Sequence, residues 1–68
     1  MTRYEYHEII GTMQDLIEQE KAYCAGYVRN NPMDKENRER QRDMIIDGIT
    51  RVMHQITKQA ANHTINIQ

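Results

Sequence analysis

The chain has no tryptophan and no phenylalanine, so few large side chains are available to fill a core. Hydrophobic residues make up 38% of its 68 residues, below the roughly 45–50% that is usual for soluble domains. A single chain of this length also buries only about 60% of the surface that its unfolded form exposes. We therefore expect one domain that is marginally stable alone and gains stability from a partner.

A single cysteine, Cys24, excludes a disulfide within the chain. No secretory signal is visible, so we expect Cys24 to be a reduced thiol in a cytoplasmic protein. Apolar runs are short, far below the roughly 20 residues that span a bilayer, and we expect no membrane segment. The formal net charge of −1 gives no overall attraction to phosphate or to an acidic membrane.

The chain has only one proline and three glycines. Thr2 and Glu5 have the spacing of a capping box at a helix start. Apolar residues then recur every three or four positions, the period of one helix face. They are Tyr6, Ile9, Ile10, Met13, Leu16, Ile17, Tyr23, Cys24, Tyr27 and Val28. We predict helix 1 at about residues 3–29, with an apolar stripe about 140° wide that is broader than one neighbouring helix can cover.

The only proline, Pro32, follows Asn30 and Asn31. Asparagine tolerates the left-handed conformation that ends many helices, and an asparagine before proline is typical of the cap of a new helix. We therefore predict a turn at residues 30–31 and helix 2 at about residues 32–61, capped by Asn31.

Helix 2 carries a narrower apolar stripe, with Ile46 at its margin. The stripe residues are Ile45, Ile49, Val52, Met53, Ile56 and Ala60. After residue 61 the helical period is lost, and Ile65 and Ile67 alternate with polar residues. We predict that residues 1–61 form the hairpin and that residues 62–68 form a flexible or extended tail.

A turn this short makes the two helices antiparallel, with residue i opposite roughly residue 61 − i. The predicted fold is an all-α antiparallel two-helix hairpin. Because the stripe on helix 1 is too wide for one neighbour, we expect the hairpin to dimerise into a four-helix bundle. The predicted dimer interface is Ile9, Ile10, Met13, Leu16, Ile17, Ile45, Ile49, Val52, Met53 and Ile56.

Residues 34–43 contain no apolar side chain although the helical repeat continues through them. The antiparallel register sets Glu20 against Arg42, and we predict an ion pair between them that forms an internal polar layer. Arg38 is expected to stack on a nearby tyrosine ring. Tyrosine and arginine often anchor interfaces, so the predicted partner-binding residues are those near the turn. They are Tyr23, Tyr27, Arg38, Arg40 and Arg42.

No constellation in the sequence predicts catalysis or a cofactor. His7 and His54 point away from the apolar stripes, so we expect solvated side chains and no metal site. Cys24 faces the predicted core without a base in register. Acidic residues lie on the outer face of helix 1, where no dry pocket is expected. We predict a protein that is not an enzyme.

The leading hypothesis is a small cytoplasmic regulatory or inhibitory protein, of the kind carried by phages and other mobile elements. It would pair with itself and bind an unidentified protein. The alternative is a helical dimer that binds RNA or DNA through the basic residues near the turn. This alternative is less favoured because acidic residues interleave with the basic ones, as on an ordinary solvated helix. A subunit of a larger assembly is a third hypothesis.

Overall fold

The structure, a computed structural model, describes residues 2–67 and the side chains of residues 2–61. Helix α1 spans Arg3–Asn30, a single 3-10 turn spans Pro32–Asp34, and helix α2 spans Lys35–Ile67. The two helices lie against each other as a hairpin. The all-α prediction is confirmed, since no strand occurs within residues 2–67.

Helix α1 begins at Thr2, as the capping box predicts. The Thr2 hydroxyl oxygen accepts a hydrogen bond from the Glu5 backbone N–H at 3.1 Å, and the same hydroxyl donates to Glu5 Oε1 at 3.0 Å. The first bond satisfies a backbone donor that has no partner inside the helix. The cap therefore fixes where α1 starts.

The end of α1 differs from the prediction in how asparagine is used. Asn30 is still helical, and no non-glycine residue of the described chain has a positive φ. Instead, the Asn31 backbone N–H donates to the carbonyls of Tyr27 and Val28. The Asn31 side-chain amide also donates to the Tyr27 carbonyl at 3.0 Å. The Asn31 side chain therefore caps the end of α1, and it makes no capping bond to the segment that follows.

The bounds of the second helix also differ from the prediction. Pro32 opens the 3-10 turn rather than the long helix, so α2 begins at Lys35 and not at residue 32. Its far end lies at Ile67, beyond the predicted end at residue 61. The tail that we predicted at 62–68 falls on residues whose side chains lie outside the described part of the chain.

The two helices meet along a seam whose less exposed positions alternate at steps of three and four residues, the spacing of a coiled coil. We call these positions the seam. They are Tyr6, Ile10, Met13, Ile17, Glu20 and Cys24 on α1, and Arg42, Ile46, Ile49, Met53, Ile56 and Ala60 on α2. Among the described side chains, Cys24 alone is fully buried. The seam therefore provides partial burial and no closed core.

The seam uses fewer of the apolar residues than the helical wheel predicts. Ile46 faces α1, whereas Ile45, which we placed in the stripe, is 44% exposed. Leu16 and Val52 are similarly open, at 46% and 43%. One neighbouring helix covers only a narrow strip, so the outer edge of each apolar stripe remains in solvent.

The hairpin is a single layer, with Cα extents of 54 × 17 × 9 Å. Its radius of gyration is 15.9 Å, against about 11 Å for a compact chain of this length. Its accessible surface is 5602 Å², whereas a compact monomer of its mass exposes about 4,500 Å². Domains are usually built from at least two packed layers, and this hairpin supplies one.

Neither helix, over its described residues, combines the length and the apolar character that crossing a bilayer requires.

Candidate interaction surfaces

A polar layer interrupts the seam in the half of the hairpin nearest the turn. Arg38 Nη1 lies 2.6 Å from Glu20 Oε1, and the two side chains are only 17% and 14% exposed. Both of these atoms are shielded from water. The close contact with the Glu20 carboxylate raises the pKa of Arg38. An internal polar layer is therefore present, but our prediction that Arg42 would pair with Glu20 is wrong.

Arg42 is held by its own helix instead. Its Nε and Nη2 donate to Asp43 Oδ1 at 3.1 and 2.9 Å, and Nη1 lies 4.0 Å from Glu39 Oε2. The hydrogen bond to Asp43 raises the pKa of Arg42. The Arg42 guanidinium therefore binds two acidic residues of its own helix and makes no contact with Glu20. Arg38 takes Glu20 and is directed at that carboxylate rather than onto a tyrosine ring.

A second polar contact closes the turn end. The Tyr27 hydroxyl donates to Asp34 Oδ2 at 2.7 Å, and the Asn37 side-chain amide donates to Asp34 Oδ1 at 3.3 Å. The hydrogen bond to Asp34, together with the negative charge of this carboxylate, raises the pKa of Tyr27. Asp34 thus ties the end of α1 to the first turn of α2.

These contacts decide how much of the predicted partner-binding cluster is available at the surface. Tyr27, Arg38 and Arg42 are already bonded within the hairpin. Tyr23 is 68% exposed, and Arg40 is an exposed side chain in a loose pair with Glu36 at 3.8 Å. The cluster stays a prediction, with Tyr23 and Arg40 as its most accessible members.

The turn also exposes Met33 completely, which sequence reasoning did not single out. The available signal was an apolar residue directly after the proline of a tight turn. This exposed thioether adds an apolar side chain to the turn end of the hairpin.

The ion pairs also bear on the nucleic-acid alternative. Of the basic residues near the turn, Arg38 pairs with Glu20, Arg40 with Glu36, and Arg42 with Asp43. Phosphate binding requires basic side chains that can exchange small counterions for phosphate. Carboxylates already compete for three of these guanidiniums, which weakens the support for this alternative.

The seam divides the hairpin into two sides. One side carries a groove to which both helices contribute. Its lining residues are Gln14, Asp15, Ile17 and Glu18 of α1 with Thr50 and Met53 of α2. Gln14 and Thr50 each follow a seam residue, so following positions from the two helices lie on the same side. Ion pairs of Lys21 with Glu18 and of Arg51 with Asp47 border this groove. We call it the charged side.

The opposite side is bordered by the positions that precede a seam residue, at intervals of seven. Ile9, Leu16 and Tyr23 lie there on α1, and Ile45 and Val52 on α2. A groove lined by Glu8, Ile9, Thr12, Met13 and Leu16 runs along its α1 edge. The next positions outward are without charge along most of their length, and Glu5 near the start of α1 is the acidic exception. Excluding the acidic rim residues Glu5 and Glu8, we call the following set the uncharged side: Ile9, Thr12, Leu16, Gln19, Gln41, Ile45, Gly48, Val52 and Gln55.

The structure thus separates the predicted dimer interface into two groups. Ile10, Met13, Ile17, Ile49, Met53 and Ile56 belong to the seam inside one hairpin. Ile9, Leu16, Ile45 and Val52 lie on the uncharged side. The second group remains accessible for a contact outside the chain.

The described residues contain no group of three or more histidine, cysteine or acidic side chains that could hold a metal ion. His7 packs its ring edge against Tyr6, with 5.4 Å between centroids. His54 is exposed, and His63 lies outside the described side chains.

Comparison with protein-family models, with curated proteins and with solved structures finds no match for this chain. Function is therefore argued from the surfaces themselves.

Proposed function

We propose that this protein is a small, non-enzymatic interaction protein that works as a homodimer, with two hairpins forming a four-helix bundle that binds another protein. The observation that supports this proposal is the exposure of Leu16, Ile45 and Val52, each more than 40% open to solvent. Only Cys24 is fully buried among residues 2–61. A chain that leaves its apolar residues in water gains stability by covering them with another surface.

The surface area supports a dimer of ordinary size. The hairpin exposes roughly 1,100 Å² more than a compact monomer of its mass. Stable protein–protein interfaces bury about 800 Å² per partner, and obligate homodimers bury more. A second hairpin laid on one side would remove area of this order and supply the missing layer.

The exposed side chains favour binding over catalysis. General acid–base chemistry requires a carboxyl or imidazole group held in a dry pocket. Among the described residues, Asp15, His7 and His54 are all exposed. The proposed role is therefore regulation or inhibition of a cytoplasmic partner by occupation of its surface.

The turn end is the proposed site for the other protein. Tyr23, Met33 and Arg40 are accessible there, and aromatic, methionine and arginine side chains are enriched at interfaces. The Tyr27–Asp34 and Arg38–Glu20 contacts beneath them hold the turn end in one shape. A preformed surface loses less conformational entropy on binding.

Sedimentation equilibrium at micromolar concentration tests the homodimer. We expect twice the chain mass of 8.1 kDa and a thermal midpoint that rises with concentration, because association stabilises the folded chain by mass action. A monomeric mass combined with a sharp, concentration-independent unfolding transition would contradict the homodimer.

Affinity capture from the source cells tests the turn end. The double variant Met33→Ala with Arg40→Ala is expected to lose a protein that the wild-type chain retains. Tyr4→Ala is the matched control, because Tyr4 is also exposed but lies at the opposite end of α1. The helicity seen by circular dichroism and the oligomeric state must be the same for the wild-type chain, the double variant and Tyr4→Ala. Retention of the captured protein by the double variant would show that the site lies elsewhere.

A further inference from the structure

We infer that the uncharged side is the surface on which the second copy of this chain docks. This inference rests on the proposed homodimer and adds which of the two sides is used. Two observations point to it, namely the apolar residues and the missing charge, and the thickness of the hairpin is consistent with one further layer.

The apolar residues that the seam leaves open are concentrated on this side. Leu16, Ile45 and Val52 are all partly exposed there, and Ile9 lines the groove beside Leu16. They recur at intervals of seven residues and form one row on each helix. Successive residues within a row are about 10 Å apart along the helix axis. A helical surface can interdigitate with such rows.

The distribution of charge selects a second copy as the occupant. In a two-fold dimer the same patch faces itself, so each residue near the axis meets its own copy. A charge at such a position would meet a like charge, which destabilises the contact. Outside the rim, residues of the uncharged side are apolar, hydroxyl, amide or glycine. The charged side instead carries Asp15 together with the Lys21–Glu18 and Arg51–Asp47 ion pairs, whose charges would have to be desolvated if a second copy covered them.

Arg38 lies seven residues before Ile45 and so continues the row of Ile45 and Val52 toward the turn. Its guanidinium is turned inward to Glu20 and is only 17% exposed. The polar layer therefore also removes a charge from the edge of the uncharged side. Gly48 has no side chain, so nothing projects from the middle of this side. The space that a Cβ atom would take there is open. A neighbouring helix can approach closely at that point.

The thickness of the hairpin is consistent with one missing layer. Its Cα atoms extend only 9 Å in the thinnest direction, and packed helices lie 8–10 Å apart. One further hairpin on the uncharged side completes a four-helix bundle and leaves the charged side in water. Met33 and Arg40 of the turn end also stay accessible, at the end of the bundle.

Single charges introduced on this side test the inference. Leu16→Glu and Ile45→Glu are each expected to weaken self-association about tenfold or more, because a carboxylate must be desolvated against an apolar neighbour. Met44→Glu is the matched control. It places the same charge on an exposed apolar residue next to Ile45 in sequence but outside the uncharged side. The control should keep the wild-type dissociation constant in sedimentation equilibrium.

A charge-swap pair keeps the test decisive if those variants unfold. In one chain Gln19, Gln41 and Gln55 are replaced by Glu, and in a second chain they are replaced by Lys. All three are exposed helical residues, and glutamate and lysine have helix propensities close to that of glutamine. Each chain alone should dimerise more weakly than wild type. A 1:1 mixture should regain helicity and form a mixed dimer whose affinity falls as salt is raised.

The outcomes separate this inference from the proposed function. A wild-type chain that is monomeric would remove both. A wild-type dimer that tolerates Leu16→Glu, Ile45→Glu and both triple variants would keep the homodimer but overturn the choice of side. Equal weakening by Met44→Glu would also overturn it, because the effect would then follow charge and not position.

Discussion

The two halves of the seam differ in chemistry. Near the turn, Glu20 and Arg38 form a shielded ion pair, and Tyr27 bonds Asp34. In the half near the chain ends, the seam residues Met13 and Ile17 of α1 and Ile49 and Met53 of α2 are apolar and partly buried, and a hydrogen bond of 2.9 Å joins Tyr6 to Thr57. Apolar contacts supply stabilisation without direction, whereas a polar pair fits only one alignment. The turn half therefore sets the register, and the other half supplies most of the apolar residues of the seam.

The largest effect should come from shortening an apolar seam residue. Ile17→Ala removes a partly buried side chain, and we expect the free energy of unfolding to fall by about 2 kcal/mol, the lower end of the range for such changes in cores. Urea titration at fixed protein concentration measures it. Met44→Ala, at a highly exposed position, is the control and should change stability little. Equal losses in the two variants would contradict a seam that contributes burial.

A smaller loss of stability is expected from Arg38→Ala, which leaves the shielded Glu20 carboxylate without its cation. Arg42→Ala is the matched comparison and should cost less, because Arg42 pairs with neighbours on its own helix. Thermal unfolding of the two variants at neutral pH ranks them. If Arg42→Ala were the more damaging change, the assignment of Glu20 to Arg38 would be wrong.

Replacing both members of the polar layer sharpens the same comparison. Glu20→Leu combined with Arg38→Leu should recover the stability that Arg38→Ala loses, since a shielded ion pair can be replaced by apolar residues at little cost. We also expect the two helices to sample more than one register, which would broaden the amide resonances of the turn half. Unchanged line widths would show that the pair does not specify the alignment.

The smallest effect concerns pH. Hydrogen bonding to Asp34 raises the pKa of Tyr27 in the folded chain. The stabilisation linked to this group is therefore complete below the unfolded tyrosine pKa of about 10 and is lost as pH rises through the higher folded pKa. Ultraviolet titration should resolve one tyrosine that ionises at a higher pH than a free tyrosine does, and Tyr27→Phe should abolish this transition. Asp34→Asn should shift its ionisation back toward the ordinary range, and a titration unaffected by this change would contradict the contact.

The two helices could be predicted from the sequence because apolar spacing and capping bonds involve residues that are close together in the chain. Thr2 with Glu5 and Asn31 with Pro32 mark boundaries through bonds that span a few residues. The edge of the seam was harder, because a helical wheel drifts about 20° per heptad relative to a coiled-coil seam. That drift is enough to exchange Ile45 for Ile46 as the residue that faces α1.

The partner of Glu20 could not be read from register alone. Arg38 and Arg42 are one helical turn apart, and both can reach a carboxylate on the neighbouring helix. The choice depends on competition from Asp43 and Glu39, which bind Arg42 within its own helix. Side-chain competition of this kind depends on rotamers, which residue spacing does not specify.

Burial of the Cys24 thiol gives the molecule an internal reporter of its own opening. Cys24 is 1% exposed in the turn half of the seam and has no disulfide partner. A thiol reagent can react with it only after the two helices separate locally. The labelling rate at low reagent concentration therefore measures the opening equilibrium of the turn half, in the way that amide hydrogen exchange does for the backbone. One native side chain can thus report the free energy of local opening of the turn half without any added probe.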